Sequence, residues 1–285
     1  MIRLVLCDMD GTLLPFGCRE VSRRTIGAIE ELRHAGVRFG PASGRELEDM
    51  TGFFGRGSVT IENGILANGR YVLADGQVVY RRELDREALQ KVVDYAVSQR
   101  DCGLVTHGPV RPDGSSERLL LGASAEEAAG MRTSEGGRVD VSLVPELPDC
   151  PILTVGFLCS GSADRLSEVR HDLAVTAPEL DFVSPAPGFL DVLPHGWNKG
   201  TALDPLLEAL GIEADEVAFF GDSENDLALM HRLPNSICVE NGSDEAKRTA
   251  SFRIARDLDD APAQVMEAIA RSGGDLAIPD EVARG

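Results

Sequence analysis

Aromatic residues are scarce in this chain of 285, at 5% with a single Trp, and basic residues are outnumbered, 28 against 47 acidic, giving a net charge of -19. So acidic a surface repels phosphate backbones and anionic membranes, which argues against nucleic-acid and anionic-membrane partners. A small anion met by a few local cations is still allowed. No apolar run approaches the ~20 residues of a membrane span, and the N-terminal apolar run is too short for the h-region of an export signal. The six cysteines (Cys7, Cys18, Cys102, Cys150, Cys159, Cys238) include no CxxC pair and no histidine at zinc spacing, and they read as reduced thiols of a cytoplasmic protein. Internal repeats and low-complexity tracts are absent. What is present is a hydrophobic content of 43%, enough for one large domain or two ordinary ones.

The first apolar run, Leu4-Val5-Leu6-Cys7, has no polar interruption and reads as a buried parallel strand that ends on Asp8-Met9-Asp10-Gly11-Thr12. Ser22 to Arg33 carries apolar residues at helical spacing, with Ser22 as N-cap and Gly36 as stop, and Val37 to Pro41 reads as a second strand delivering Ala42-Ser43-Gly44-Arg45. Strand, helix and strand make a right-handed βαβ unit. A helix is expected over 46–54 and a strand over Val59-Thr60-Ile61, followed by a small antiparallel flap with turns at Asn68-Gly69 and Asp75-Gly76. From Asp85 to about Pro187 the pattern changes to helices and short strands separated by turns, with loops at Pro109–Ser116 and Thr133–Arg138, as in an open-faced α+β layer. The doubly wound pattern is expected to return with a strand at Phe189–Leu193, a helix at Thr201–Leu210 and a strand at Val217–Phe220, which delivers Gly221-Asp222-Ser223-Glu224-Asn225-Asp226. The tail beyond Ser272 is Gly-rich and expected to fray.

Four polar groups thus fall at strand ends: Asp8/Asp10, Ser43/Arg45, Lys199 and Asp222/Asn225/Asp226. Ligands of open α/β sheets sit at such edges. Two carboxylates one residue apart call for a cation between them, and a hard ion such as Mg2+ suits oxygen ligands. At the strand tip Asp8 can attack phosphorus, Asp10 can move the proton, and Asp222 adds a carboxylate for the metal. Lys199 and Ser43 suit phosphate oxygens, while Gly11 and Gly44 let backbone N–H groups approach them. Each residue also has an ordinary reading: Ser43 as a helix cap, Lys199 as a solvated side chain, Arg45 as the partner of Asp49, Asn225 as a cap, and Asp226 as a helix N-terminal acid.

In order, Asp8-Met9-Asp10-Gly11-Thr12, Ala42-Ser43-Gly44-Arg45, Asn198-Lys199-Gly200 and Gly221 to Asp226 resemble the four motifs of the haloacid dehalogenase superfamily phosphatases. The flap after Asn63-Gly64 and the long insertion are similar to the Cof-type, or type IIB, branch. That resemblance implies a Rossmann-like doubly wound, mostly parallel α/β core (1–84 and 188–285) carrying an inserted α+β cap (85–187). It implies Asp8 as nucleophile and Asp10 as general acid/base. Mg2+ would be held by the Asp8 side chain, the Asp10 carbonyl and Asp222, with Asp226 behind them. Phosphate would meet Gly11, Thr12, Ser43, Gly44, Arg45, Lys199 and Asn225. The implied activity is hydrolysis of a small phosphorylated metabolite, a sugar phosphate being the first expectation. A phosphotransferase or mutase using the same nucleophile, and a regulatory protein on the same fold, are the alternatives. Three departures stand out: Ser43 where Thr is commoner, the lone Trp197 beside the Lys199 motif, and Asn241-Gly242 in place of Asn-Ala.

Overall fold

A computed structural model describes residues 1–55, 59–112, 116–124, 126–127 and 141–284. The chain forms two compact units, Met1–Arg81 with Asn198–Gly285, and Arg82–Trp197. In chain order the first unit begins with β1 (Leu4–Cys7), α1 (Arg23–His34), β2 (Arg38–Pro41), α2 (Leu47–Phe53), β3 (Gly64–Leu66), β4 (Tyr71–Ala74) and β5 (Gln77–Arg81). The second unit comprises α3 (Arg86–Ser98), β6 (Cys102–His107), β7 (Arg118–Leu121), β8 (Ser142–Leu143), β9 (Val155–Cys159), α4 (Ala163–Thr176), β10 (Leu180–Ala186) and β11 (Phe189–Pro194). The first unit resumes with α5 (Leu203–Leu210), β12 (Val217–Gly221), α6 (Leu227–Arg232), β13 (Asn235–Val239), α7 (Asp244–Thr249), β14 (Phe252–Ile254), α8 (Ala261–Arg271) and β15 (Ala283–Arg284).

The first unit is a six-stranded sheet in the order β15-β14-β13-β12-β1-β2, parallel except for β15. All residues of β1 and β12 are buried, as strands covered on both faces require. The chain runs from β1 to β2 on one side, while β12 lies on the other. The strand order therefore reverses beside β1, where such sheets hold ligands. Helix α1 starts where Ser22 Oγ accepts the Thr25 N–H, and its buried face of Thr25, Ala28, Ile29 and Leu32 joins the core.

Two expectations change here and a third holds. Residues 59–61 form no strand; β3 lies later, at Gly64–Leu66, where Ile65 bridges to Ala42 beyond β2. Val59 is nonetheless buried in the core, so its apolar character reports burial without a ladder. The tail beyond Ser272 is docked rather than frayed: Ile2 N–H donates to Gly274 O at 2.6 Å, Ala255 N–H to Val282 O at 2.7 Å, and β15 pairs with β14. It covers an edge strand that would otherwise expose unpaired backbone groups. The flap is present as the three-stranded antiparallel β3-β4-β5, with Asp75 and Gly76 both at positive φ in its second turn.

The second unit is a six-stranded sheet in the order β10-β11-β9-β6-β7-β8, antiparallel except for β7 with β8. Helices α3 and α4 bury Leu89, Val92, Val93, Leu166, Val169 and Leu173 in one cluster with Leu104, Phe157 and Leu190 of the sheet. Residues 189–193, expected to return the chain to the parallel core, instead form β11, antiparallel to both β10 and β9. The second crossing consequently falls between Trp197 and Asn198 rather than at 187/188, and the first after Arg81 rather than 84. Half-buried alternation along Phe189-Leu190-Asp191-Val192 is the antiparallel pattern, unlike the fully buried β1 and β12. The expected loop at 133–138 lies outside the described residues.

Candidate active site

At the carboxyl end of β1 the buried Asp8 meets a fully buried lysine. Lys199 Nζ donates to Asp8 Oδ1 and to Asp226 Oδ1, both at 2.7 Å. The other oxygen of Asp226 accepts the N–H groups of Asp222, at 3.0 Å, and Ser223, at 3.2 Å, so this carboxylate has no oxygen to spare. Gly221 is what lets it come so close, since a Cβ there would lie 2.7 Å from Asp226 Oδ2. Asp222 Oδ1 accepts the Thr12 hydroxyl at 3.1 Å. Opposite, Gly11 turns the chain at φ +83°, and a Cβ on it would press to 2.9 Å from Asp222 Oδ2 and 2.8 Å from Phe16.

Three carboxylates, Asp8, Asp222 and Asp226, bring oxygens within 4.8 Å of one another around a single ammonium. The imbalance registers in their protonation. Burial pushes the Asp8 carboxyl up to about 7 against the pull of Lys199, with Asp226 and Asp10 adding repulsion. Asp222 is driven well above the usual carboxylate range by burial, then by Asp8 and Asp226. Burial pulls the Lys199 ammonium down, but Asp226 and Asp8 outweigh it and leave it above its ordinary value. An all-oxygen set with more negative charge than its lysine neutralises fits a hard divalent cation such as Mg2+. Because both Asp226 oxygens are committed, Asp8 and Asp222 are the side chains with room to bind it.

Asp10 is engaged differently. Arg45 Nε and Nη2 donate to its two oxygens at 2.6 Å each, and the guanidinium stacks over the Phe53 ring, 4.6 Å from the centroid. The partner of Arg45 is thus Asp10, not Asp49. Ser43 is buried, and its Oγ accepts the Arg45 N–H at 3.2 Å. Asn225 Nδ2 donates to Asn68 Oδ1 at 3.2 Å while its own Oδ1 accepts the Ser223 hydroxyl. Asn68 went unnoticed in the sequence, where Asn-Gly signals only a turn. It is buried at φ +51°, and its N–H donates to Ser43 O, so it links the second and fourth motifs. Asn241 spans two segments: Nδ2 donates to Gly11 O at 2.6 Å and Oδ1 accepts the Asp257 N–H at 3.0 Å. It therefore fixes the loop that follows Asp10. Phe53 was likewise missed, its only sequence signal being its place on a helix that follows Arg45.

A parallel α/β sheet ending in clustered acids, a buried lysine and a glycine turn is an arrangement suited to phosphoryl transfer. Residues 5–266 match the family model of the haloacid dehalogenase-like hydrolases. The chain belongs to that family, in its Cof-type branch, and is an enzyme of the phosphatase class. It is 29% identical over 261 residues to the HMP-PP phosphatases of Yersinia pseudotuberculosis and Yersinia pestis, an alignment covering 87% of each chain. Among solved structures it is similar in fold to the subclass IIB sugar phosphatase BT4131 (TM-score 0.73, 17% identity, covering 96% of this chain and 100% of that one). It is also similar to the phosphatase BT1666 from Bacteroides thetaiotaomicron (TM-score 0.74, 21% identity, 96% of each chain).

Proposed function

We propose that this enzyme is a Mg2+-dependent phosphatase that removes phosphate from a small phosphorylated metabolite through an aspartyl-phosphate on Asp8. The observation that carries the reading is Lys199 bound to one Asp8 oxygen at 2.7 Å in a pocket that also holds Asp222 and Asp226. Lys199 orients the Asp8 carboxylate and leaves its second oxygen to attack phosphorus in line with the leaving oxygen. The bond to that leaving oxygen breaks as the Asp8–phosphorus bond forms. Asp10 gives the departing oxygen a proton, then takes one from the water that hydrolyses the acyl phosphate. Arg45 occupies both Asp10 oxygens, so each proton transfer requires that pair to open. Thr12, Ser43 and the N–H groups beside Gly11 and Gly44 are suited to the phosphate oxygens. Held by Asp8, Asp222 and the Asp10 carbonyl, Mg2+ would neutralise charge on the transferring group. Asp226 serves behind them as the anchor of Lys199 and of the β12 loop.

A sugar phosphate is the substrate class proposed first, supported by the name of the structural relative BT4131. HMP-PP is the second reading, favoured by the 29% identity to phosphatases of that name. The test is Asp8→Asn in a p-nitrophenyl phosphate assay, followed by a panel of sugar phosphates and HMP-PP with the native enzyme. Turnover should fall at least about a thousandfold with the far-ultraviolet spectrum unchanged. EDTA should abolish native activity and Mg2+ should restore it. Undiminished turnover by the Asn variant would remove the nucleophile assignment, and activity in EDTA would remove the metal.

A further inference from the structure

In the second unit two cysteines face each other across neighbouring strands. Cys102, first residue of β6, is registered opposite Cys159, last residue of β9, and both are buried. The ladder fixes what kind of pair this is. Ser160 N–H donates to Asp101 O at 2.9 Å, while Cys159 N–H turns away to Gly188 O on the far side of β9, also at 2.9 Å. Cys102 and Cys159 therefore occupy a non-hydrogen-bonded position, the narrow site of an antiparallel ladder with Cα atoms about 4.5 Å apart. Disulfides span about 4.4–6.8 Å between Cα atoms, so backbone spacing already suits a bond. Both side chains point to the same face, and the two sulfurs and the Asp101 carboxylate lie within 4.8 Å of one another.

We propose that Cys102 and Cys159 form a reversible disulfide when the protein meets a small peroxide. Cys159 is the attacking group, being the less enclosed of the two, whereas the Cys102 S–H is directed at Asp101 Oδ1 at 3.4 Å. The Cys159 thiolate attacks a peroxide oxygen and breaks the O–O bond, giving a sulfenic acid and hydroxide. The Cys102 sulfur then attacks Cys159 Sγ, and the sulfenic oxygen leaves as water. Two thiols and one hydrogen peroxide become one disulfide and two waters. Cys102 is fully buried and Cys159 only 3% exposed, so the oxidant must be of this size. A metal is the less suitable occupant. Arg165 Nε and Nη2 already hold the two Asp101 oxygens at 2.9 and 3.2 Å, which puts a guanidinium beside any cation and leaves only two thiolates to bind it.

The experiment is equimolar hydrogen peroxide on the full-length reduced enzyme, followed by alkylation under denaturing conditions, intact mass and peptide mapping. Two of the six cysteines should resist alkylation, joined as a Cys102–Cys159 cross-linked peptide that dithiothreitol releases. The oxidised protein should also melt several degrees higher, because the bond closes a long loop through β7 and β8. Cys102→Ala and Cys159→Ala should each abolish the cross-link. Oxidation of the exposed Cys18 with no Cys102–Cys159 peptide would overturn the proposal. So would stoichiometric zinc bound to the reduced protein and lost on Cys159→Ala.

Discussion

The two units bury different chemistry. Among the described residues the buried polar or charged side chains include Asp8, Thr12, Ser43, Asn68, Arg70, Lys199, Asp222 and Asp226 in the first unit, whereas the second unit contributes only Thr106. Thr106 Oγ1 is satisfied by Thr154 O at 2.8 Å. The first unit thus holds three acids and a lysine out of water at the end of its sheet, an arrangement that costs several kcal/mol per ion unless each charge is paired. The second unit is a sheet and two helices around an interior of aliphatic side chains, Phe157, Phe182 and two thiols. Apolar burial stabilises by itself and asks for no partner. Buried charge does the opposite, and is retained where chemistry uses it.

The largest test of this contrast is to remove the cation at its centre. Lys199→Met leaves Asp8 and Asp226 facing each other with no counter-ion, and we expect a loss of about 3–5 kcal/mol in urea unfolding at pH 8, with turnover abolished. In the second unit Lys91 and Glu179 form a pair at 2.6 Å with side chains 42% and 52% exposed, and Lys91→Met should cost less than about 1 kcal/mol. Equal midpoints for the two variants would break the comparison.

Smaller in size, but more specific, is the response to pH. The Asp8 carboxyl is raised from 3.8 to about 7, and Asp222 is raised as well. A raised acid binds more protons folded than unfolded, so its stabilising contribution is complete below about pH 4 and is lost as pH rises through about 7. In EDTA the thermal midpoint should therefore decline between about pH 5 and 8. Added Mg2+ should oppose the decline, with its largest effect at the alkaline end, since only ionised carboxylates bind it. Asp8→Asn should flatten the slope. A melting series in which Mg2+ stabilises equally at pH 5 and pH 8 would contradict the charge imbalance described for this pocket.

Much of the first unit was legible because its information is local. A buried run such as Leu4-Val5-Leu6-Cys7 must be a covered strand, and the residues after it must lie at the sheet edge; the same holds for Val217 to Gly221 and Asp222. The three acids could be grouped from two such ends, whereas Lys199 follows β11, an antiparallel strand of the second unit. The partnerships within the site could not be read this way, because they cross long stretches of chain. Asp10 and Arg45 are 35 residues apart, Asn68 and Asn225 157, and Gly11 and Asn241 230. No periodicity reports which carboxylate an arginine will choose. In the second unit even the strand neighbours were obscure. The alternation of Phe189 to Val192 announces a half-buried strand, but the residues that close the sheet around it, β9 and β10, become identifiable only once folded.

The smallest test asks whether the units differ in anything besides what they bury. Each has a helix begun by serine. Ser22 Oγ accepts the Thr25 N–H at 3.0 Å in the first, and Ser162 Oγ accepts the Arg165 N–H at 3.2 Å in the second. Both satisfy one of the donors a helix start leaves unpaired, so Ser22→Ala and Ser162→Ala should each cost about 1 kcal/mol. The Ser22 bond is part-buried and the Ser162 bond exposed, and water replaces a lost exposed bond more readily, which puts Ser22→Ala at the larger end. Neither change alters the charge around Asp8, so the Mg2+ stabilisation at pH 8 should match that of the unaltered protein in both. Were Ser162→Ala to cost several times more than Ser22→Ala, local capping would not be the same in the two units, and buried charge would no longer be their chief difference.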